Sequence, residues 1–480
     1  MLAVGALTLV ALALRIPGID QSLAGDELYT FDIVRQSGLV DVLRAVHDTS
    51  ITPPLHYVVA WLAVKLGDPA TWVRIPSLIA GTATVPAVYL LGRRTVGRDA
   101  GLVAAALTAL SPFAIFYSDE ARTYALLILL VALSTLSLLA ALDSGRRRWW
   151  VVFAVCACAS LYAHYTAVFP LAAQLAWALW AHRERARELA VAFAAVAVGY
   201  LPWLPSFLHQ RHNSGIKAIE ALAPFTARTV GESLAKLVPG HPFVSLADVP
   251  GPVALAVVVV GAGGAALAAG ARRRPRPSPA FVLVVALAAA TPVGALLYSA
   301  AGSSIFAARN LLPSFPGLVL LLGVLMVAAP RLVRAAAIPL VLVGLAVGAV
   351  KSLGPDARRP AFKQVAERID RRAGPRDAVV ELDLFRVRSP IGGRPLLSSL
   401  RPYLDPRARL HVALLGDTHV WDAVAGSRRV FVVIGQLPGT DRVPPAPRLD
   451  ARFRYVGGRT YRGLSVVAVY EYASGTTRST

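Results

Sequence analysis

Two acidic pairs in the sequence have the chemistry to act on a hydroxyl group. Asp26 and Glu27 lie in the segment AGDELYT, and Asp119 and Glu120 lie in YSDEARTYA, each just after a long apolar run. A carboxylate at the boundary between membrane and water is costly unless it is paired or functional. There it can remove a proton from a hydroxyl or hold a divalent cation. Either pair alone is equally typical of solvated surface, but two pairs together favour a functional site.

An arginine further along the chain could neutralise a phosphate next to these acids. Arg309, in the segment FAARNLLP, is the sole charge at the outer end of a late apolar run. Its planar group offers paired N–H donors to a phosphate. An arginine that reaches from the membrane to the lipid headgroups would have the same position. The sequence has no Walker A, GxGxxG, HExxH or GxSxG context and no Cys/His cluster of the kind that binds zinc.

The composition places these residues in a membrane protein. Of the 480 residues, 56% are hydrophobic and only 16% are charged, and the mean hydropathy is +0.57. These values exclude a disulfide-rich secreted scaffold, a disordered chain and an ordinary cytosolic enzyme. Apolar runs near 20 residues predict membrane-spanning helices. We predict eleven spans, at about 1–16, 75–92, 100–117, 123–142, 149–163, 165–181, 189–204, 252–270, 280–298, 310–329 and 335–350.

The basic residues set the orientation of these spans. Five short loops carry 15 arginines against four acids, and all five fall on the same side if the spans alternate. The positive-inside rule makes that side cytoplasmic, so the N-terminus is inside and the C-terminus outside. The arginines are Arg93, Arg94, Arg98, Arg146, Arg147, Arg148, Arg183, Arg185, Arg187, Arg272, Arg273, Arg274, Arg276, Arg331 and Arg334. The net charge of +21 is therefore explained by membrane topology, and we expect no nucleic-acid partner.

Two polar segments are predicted outside the membrane. The first outer loop, 17–73, holds seven acids, and its apolar stretch 54–66 is long enough only for an interfacial helix. The transmembrane domain ends near residue 350. The tail 351–480 carries a net +11, helical spacing at 360–372 and β-rich runs at 378–382, 430–434 and 464–470. These patterns predict a small extracytoplasmic α/β domain, with a basic surface that suits either lipid headgroups or solvent.

The chain resembles polyprenyl-phosphate-sugar-dependent glycosyltransferases of the GT-C type. Relatives include protein O-mannosyltransferases, the aminoarabinose transferase for lipid A and the lipid A core galacturonosyltransferases. The resemblance covers about residues 10–350 and is carried in order by LRIPGIDQSLAGDELYT, TPPLHYVVAWLAVKLGDPATWVRIPSLIAG, AALTALSPFAIFYSDEARTYAL, YAHYTAVF and ARNLLPSFPGLVLLLG. It implies an α-helical polytopic GT-C-like fold in a bacterial plasma membrane. It also implies inverting transfer of a sugar from a polyprenyl phosphate to a lipid, cell-envelope glycan or protein hydroxyl on the outer face.

The resemblance also implies roles for individual residues. Asp26 matches the general base, with Glu27 as its neighbour in the acceptor site, and Arg309 matches the arginine that faces the donor phosphate. The remaining candidates shape the acceptor or metal site and are Asp119, Glu120, Arg122, Tyr124 and His56. Whether a divalent metal such as Mg²⁺ or Mn²⁺ takes part is left open.

Two positions qualify the resemblance. Many relatives carry histidine or lysine just before the proline pair of the His56 segment, whereas this chain has Thr52 there. His164, in the YAHY segment, lies near a span end, where a lone histidine is more often structural.

Other functions fit parts of the sequence. A lipid or sugar transporter, or a flippase, is the main alternative, but transporters usually place polar groups at mid-membrane, whereas these acids lie at one face. A structural scaffold would not explain the paired acids. Within the enzyme class, a protein acceptor is the main alternative to a lipid or polysaccharide. The sugar, the acceptor and the oligomeric state stay open.

Overall fold

The computed structural model describes residues 1–211, 224–270, 277–383, 396–435, 442–449 and 452–475. The described residues up to 352 are mainly helical. Their helices are α1 Leu2–Ile19, α2 Asp26–Val34, α3 Leu39–Thr49, α4 Leu55–Ala63, α5 Pro69–Trp72, α6 Ile75–Thr95, α7 Arg98–Leu110, α8 Pro112–Ser118, α9 Tyr124–Ser144, α10 Arg147–Ala163, α11 Val168–Ala181, α12 Ala186–Tyr200, α13 Leu204–Gln210, α14 Ala227–Lys236, α15 Pro252–Gly270, α16 Pro279–Ala300, α17 Phe315–Ala328 and α18 Arg331–Ser352. The basic loop at 272–276 lies outside the described residues.

Every one of the eleven predicted runs contains helix, which makes this a multi-pass membrane protein. Within the described ranges, eight helical segments are long and apolar enough to cross a membrane, and the bent pair α7–α8 would be a ninth. Helices α10 and α11 have only 17 and 14 residues, fewer than the roughly 20 that a span needs. The count of eleven spans therefore stays a prediction.

The bend of 62° between α7 and α8 brings the second acidic pair to the end of the helical bundle. Pro112 has no N–H for a continuous helix, and the Ser111 hydroxyl caps α8 by accepting from the Ala114 amide at 3.2 Å. The last carbonyls of α7 are left without helical partners. Arg15 of α1, fully buried, satisfies them by donating to Thr108 and Ala109 oxygens at 3.1 and 3.2 Å.

The first outer loop is folded rather than extended. The helix predicted at 54–66 is present as α4, its interfacial position stays a prediction, and three further helices, α2, α3 and α5, were not predicted. They enclose an apolar cluster that includes Phe31, Val42 and Val46. Val42 and Val46 lie four residues apart on one face of α3 and are fully buried, the spacing of an amphipathic helix. The loop therefore forms a cap over the ends of the spans.

The tail contains a helix and a mixed five-stranded sheet in the order β2-β1-β3-β5-β4. Strands β1–β2 and β1–β3 are parallel, and β3–β5 and β4–β5 are antiparallel. The elements are α19 Phe362–Asp370, β1 Ala378–Asp383, β2 Arg409–Leu414, α20 His419–Ala423, β3 Arg429–Gly435, β4 Phe453–Tyr461 and β5 Val467–Ser474. The predicted α19, β1 and β3 are confirmed, the third predicted strand begins three residues later as β5, and β2 and β4 were missed.

Candidate functional site

The two acidic pairs meet at one end of the helical bundle. The backbone N–H of Ala121, in the second acidic turn, donates to Glu27 Oε1 at 2.8 Å. This turn also lies very close to α1. A Cβ added to Gly18 of α1 would be 1.7 Å from Asp119 Oδ2. Segments about 90 residues apart in sequence thus share one pocket.

Glu27 is the buried centre of this junction. Its side chain is 1% exposed, and Arg74 binds both its oxygens, Nε to Oε1 and Nη2 to Oε2, each at 2.7 Å. Arg74 also donates to the Ile19 and Ser22 carbonyls at 3.0 and 2.9 Å. Burial alone would raise the pKa of Glu27, but the charges of Arg359 and Arg74 outweigh it and lower that pKa. Glu27 therefore joins α1, α2 and α6 as a buried carboxylate.

A residue of the tail completes the same network. Arg359 is nearly fully buried and donates from Nη2 to Asp119 Oδ1 at 2.8 Å, while its Nε lies 3.1 Å from Glu27 Oε2. Its guanidinium also stacks over the Phe116 ring at 4.7 Å. Burial opposes its charge, but Glu27 and Asp119 more than compensate and raise the pKa of Arg359. The tail thus supplies part of the site.

Asp26 differs from its neighbour because it is open to solvent. Its side chain is 48% exposed, and Oδ2 lies 3.1 Å from Nη1 of Arg309, which is 28% exposed. Asp26 begins α2 directly after Gly25, whose φ of 54° suits glycine. Desolvation disfavours the charged form, but Arg122 and Arg309 outweigh it and lower the pKa of Asp26. Asp26 is therefore a charged carboxylate within reach of a ligand.

Glu120 has the opposite surroundings. It is buried, and its Oε2 has no hydrogen-bond partner among the described residues. Burial raises the pKa of Glu120 to about 8, with further contributions from Glu27 and Asp26 that Arg359 and Arg122 only partly offset. Glu120 therefore holds a proton at neutral pH and can donate a hydrogen bond.

Arg122 links the second turn to the first outer loop. Its Nη1 donates to the Tyr57 hydroxyl at 2.8 Å, and its carbonyl accepts from the Ser77 hydroxyl at 2.9 Å. His56, next to Tyr57, is 2% exposed, and neither ring nitrogen has a partner with hydrogen-bond geometry in the described part of the chain. Burial, with the charge of Arg122, lowers the pKa of His56 to about 3, so its ring is neutral.

Tyr124 and His164 flank the turn on its other side. Tyr124 begins α9, and its ring lies 4.9 Å from that of Tyr117 and 5.8 Å from that of His164. His164 Nδ1 accepts from the Thr166 amide at 3.2 Å and caps a short helix. This is the structural role expected for His164.

The fold and one family model show which known proteins the chain is similar to. Residues 52–209 match the family described as dolichyl-phosphate-mannose-protein mannosyltransferase. ArnT from Cupriavidus metallidurans in complex with undecaprenyl phosphate is 15% identical, with a TM-score of 0.59 over 98% of this chain and 97% of ArnT. This chain has the GT-C glycosyltransferase fold. The oligosaccharyltransferase AglB from Archaeoglobus fulgidus, in complex with an inhibitory peptide and a dolichol-phosphate, is 11% identical, with a TM-score of 0.51 over 90% and 69% of the two chains. No curated protein sequence matches the chain.

Within this GT-C fold, the acids do not fit a divalent-cation site. No three metal-ligating side chains converge anywhere in the described ranges. The carboxylates of Glu27 and Asp119 are already bonded to Arg74 and Arg359. What the site offers instead is one accessible carboxylate beside one accessible guanidinium.

Sequence reasoning missed two residues of this candidate site, Arg74 and Arg359. Arg74 lies in the WVRIPS segment at the start of an apolar run, a charge position that could have drawn attention. Arg359 lies 240 residues after Asp119 in an arginine-rich tail, and nothing in its local sequence distinguishes it from neighbouring arginines.

Proposed function

We propose that this protein transfers a sugar from a polyprenyl-phosphate donor to a hydroxyl acceptor at the outer face of a bacterial plasma membrane. The observation that carries the proposal is the accessible Asp26–Arg309 pair, with 3.1 Å between Oδ2 and Nη1, in a GT-C fold. The complex of ArnT with undecaprenyl phosphate supports the donor class. The basic loops of the opposite end, where Arg94 bonds Asp143 at 2.9 Å, support the outer location.

The chemistry needs one base and one cation. Asp26 takes the proton of the acceptor hydroxyl as that oxygen attacks the anomeric carbon. The bond between the anomeric carbon and the phosphate oxygen breaks, and its electron pair leaves with the polyprenyl phosphate. Arg309 stabilises the charge that develops on this phosphate. A single displacement inverts the anomeric centre and needs no second carboxylic acid, unlike sugar hydrolysis.

The other residues of the site position or bind. Glu27, bonded to Arg74 and Arg359, holds the loop that carries Asp26. Glu120, protonated at neutral pH, donates a hydrogen bond to a ligand oxygen, and the neutral His56 ring is a second polar contact. Arg122 and Tyr124 form the wall of the pocket beside them.

The acceptor is a lipid, a cell-envelope glycan or a protein. The match of 52–209 to a protein mannosyltransferase family favours a protein hydroxyl. A lipid or cell-envelope glycan hydroxyl is the alternative. Transport is a weaker proposal, because the charges of the site cluster at the ends of helices rather than at mid-membrane.

Transfer by purified protein tests the donor and the base together. We expect activity with polyprenyl-phosphate mannose or arabinose and none with a nucleotide sugar. D26N should lower the rate at least 100-fold, the typical contribution of a general base. D41N is the matched control, because Asp41 is similarly exposed (45%) and bonds Arg44 of its own helix at 3.3 Å. Full activity of D26N would contradict the assignment of Asp26 as the base. Direct use of a nucleotide sugar would contradict the proposed donor class.

A further inference from the structure

The Asp26–Arg309 pair differs from every other acid–arginine contact of the site in its access to ligand. Glu27, Asp119, Arg74 and Arg359 are buried and bond one another. Asp26 and Arg309 are 48% and 28% exposed, and one hydrogen bond joins them. A bound anion can therefore reach Arg309 without breaking the buried network.

We propose that Asp26 and the donor phosphate compete for Arg309, so that Asp26 is released to act as base only when the donor lipid is bound. This inference rests on the proposed function, which supplies the phosphate. In the free protein Arg309 bonds Asp26. In the donor complex Arg309 bonds the phosphate, and Asp26 faces the acceptor hydroxyl.

The exchange follows from the chemistry of the two anions. Arginine binds phosphate through paired N–H donors, and the Nη1 group now used by Asp26 is one of those donors. The phosphate also brings a negative charge next to Asp26. Loss of one cation and gain of one anion both raise the pKa of a carboxylate, and a carboxylate with a higher pKa is a stronger base.

A second arginine continues to favour the charged form of Asp26 during the exchange. Arg122 also lowers the pKa of Asp26, and its guanidinium is fixed by the Tyr57 hydroxyl at 2.8 Å. Because Arg122 is buried and already bonded, it stays near Asp26 when Arg309 turns to the phosphate. The pKa of Asp26 is then lowered by one cation instead of two.

Binding of undecaprenyl phosphate measures this competition without any transfer. Removing the charge of Asp26 frees Arg309, so we expect D26N to bind the lipid about tenfold more tightly than wild type, or about 1.4 kcal/mol. D41N, which removes an equally exposed charge paired within α3, should bind like wild type. R309Q should bind more weakly, and D26N should add less affinity to R309Q than to wild type, because only the repulsion between Asp26 and the phosphate is then left to relieve. Thermal unfolding without lipid checks that each variant is folded.

Each alternative result has one meaning. If wild type and D26N bind the lipid equally, the competition is wrong while the donor class stands. If D26N tightens binding in the R309Q background as much as in wild type, repulsion between Asp26 and the phosphate explains the whole gain and the competition for Arg309 is wrong. If no folded variant binds undecaprenyl phosphate, the proposed donor class fails and the competition fails with it.

Discussion

At the scale of single residues, identical carboxyl groups acquire different properties from their surroundings. Glu27 is buried against two guanidiniums and stays charged. Glu120 is buried with one oxygen unpartnered within the described structure and keeps its proton. Asp26 is exposed and charged. Only Asp26 combines charge with access, which is why it suits the base.

Glu120 predicts a specific dependence of stability on pH. Its pKa in the folded protein is about 8 against 4.5 for an ordinary glutamate. The folded state therefore holds a proton that the unfolded chain releases, and stability falls as pH rises from about 4.5 to 8. E120Q, of the same shape and always neutral, removes this loss. We expect the free energy of unfolding of E120Q, relative to that of wild type, to increase by at most about 1.4 kcal/mol for each pH unit in this window.

The measurement is thermal unfolding of wild type and E120Q from pH 5 to pH 9, which gives the difference in their free energies of unfolding at each pH. The difference should favour E120Q increasingly up to about pH 8 and then stay constant. A difference that does not change with pH would mean that Glu120 titrates normally.

At the scale of elements, the site depends on how closely α1 approaches the second acidic turn. Gly18, near the end of α1, leaves no room for a side chain, since a Cβ would lie 1.7 Å from Asp119 Oδ2. Gly5 of the same helix has nothing within 4 Å of its Cβ position. The two glycines therefore separate the effect of contact from the effect of helix propensity.

Alanine at these positions tests the contact. G18A should displace the turn, cost about 1–3 kcal/mol through overpacking and lower sugar transfer. G5A should be neutral or stabilise by up to about 1 kcal/mol, because alanine favours helix over glycine. Thermal unfolding and transfer rates measure both variants. Equal effects of G18A and G5A would show that the turn is not held against α1.

At the scale of the whole molecule, the tail is bonded to the site rather than tethered beside it. Arg359 bonds Glu27 and Asp119, and the amide of Leu23 donates to the Tyr403 hydroxyl at 2.6 Å. Lys363 pairs with Asp20 at 2.5 Å. The tail and the first outer loop therefore lie at the same end of the bundle.

Loss of Arg359 should separate the tail from the site. R359Q leaves two buried carboxylates short of a cation, and breaking such a buried pair costs about 3–5 kcal/mol. We expect a lower unfolding temperature, faster proteolysis of the tail and lower transfer activity. R358Q is the control, because Arg358 is exposed and its Nε donates to a backbone oxygen, the Leu353 carbonyl, at 3.3 Å. If R359Q behaves like R358Q, the tail does not support the site.

The sequence alone determined the helical membrane class, the positions of the apolar runs and the motifs that carry the GT-C resemblance. Hydropathy and motif spacing are local properties, so the order of residues is sufficient to read them. It also identified the tail helix and two of its strands by side-chain periodicity. It missed α2 and α3, because a long polar loop gave no sign of the cap it forms.

Only the tertiary structure decided what each acid of the site does. The sequence placed Asp26 and Glu27 side by side in one acceptor site, whereas packing exposes the first and buries the second between Arg74 and Arg359. Arg359 lies 240 residues from Asp119 in sequence, and such a contact exists only once the tail has docked. Charge, burial and partners of a side chain are properties of its surroundings in space, and residues distant in the chain provide those surroundings.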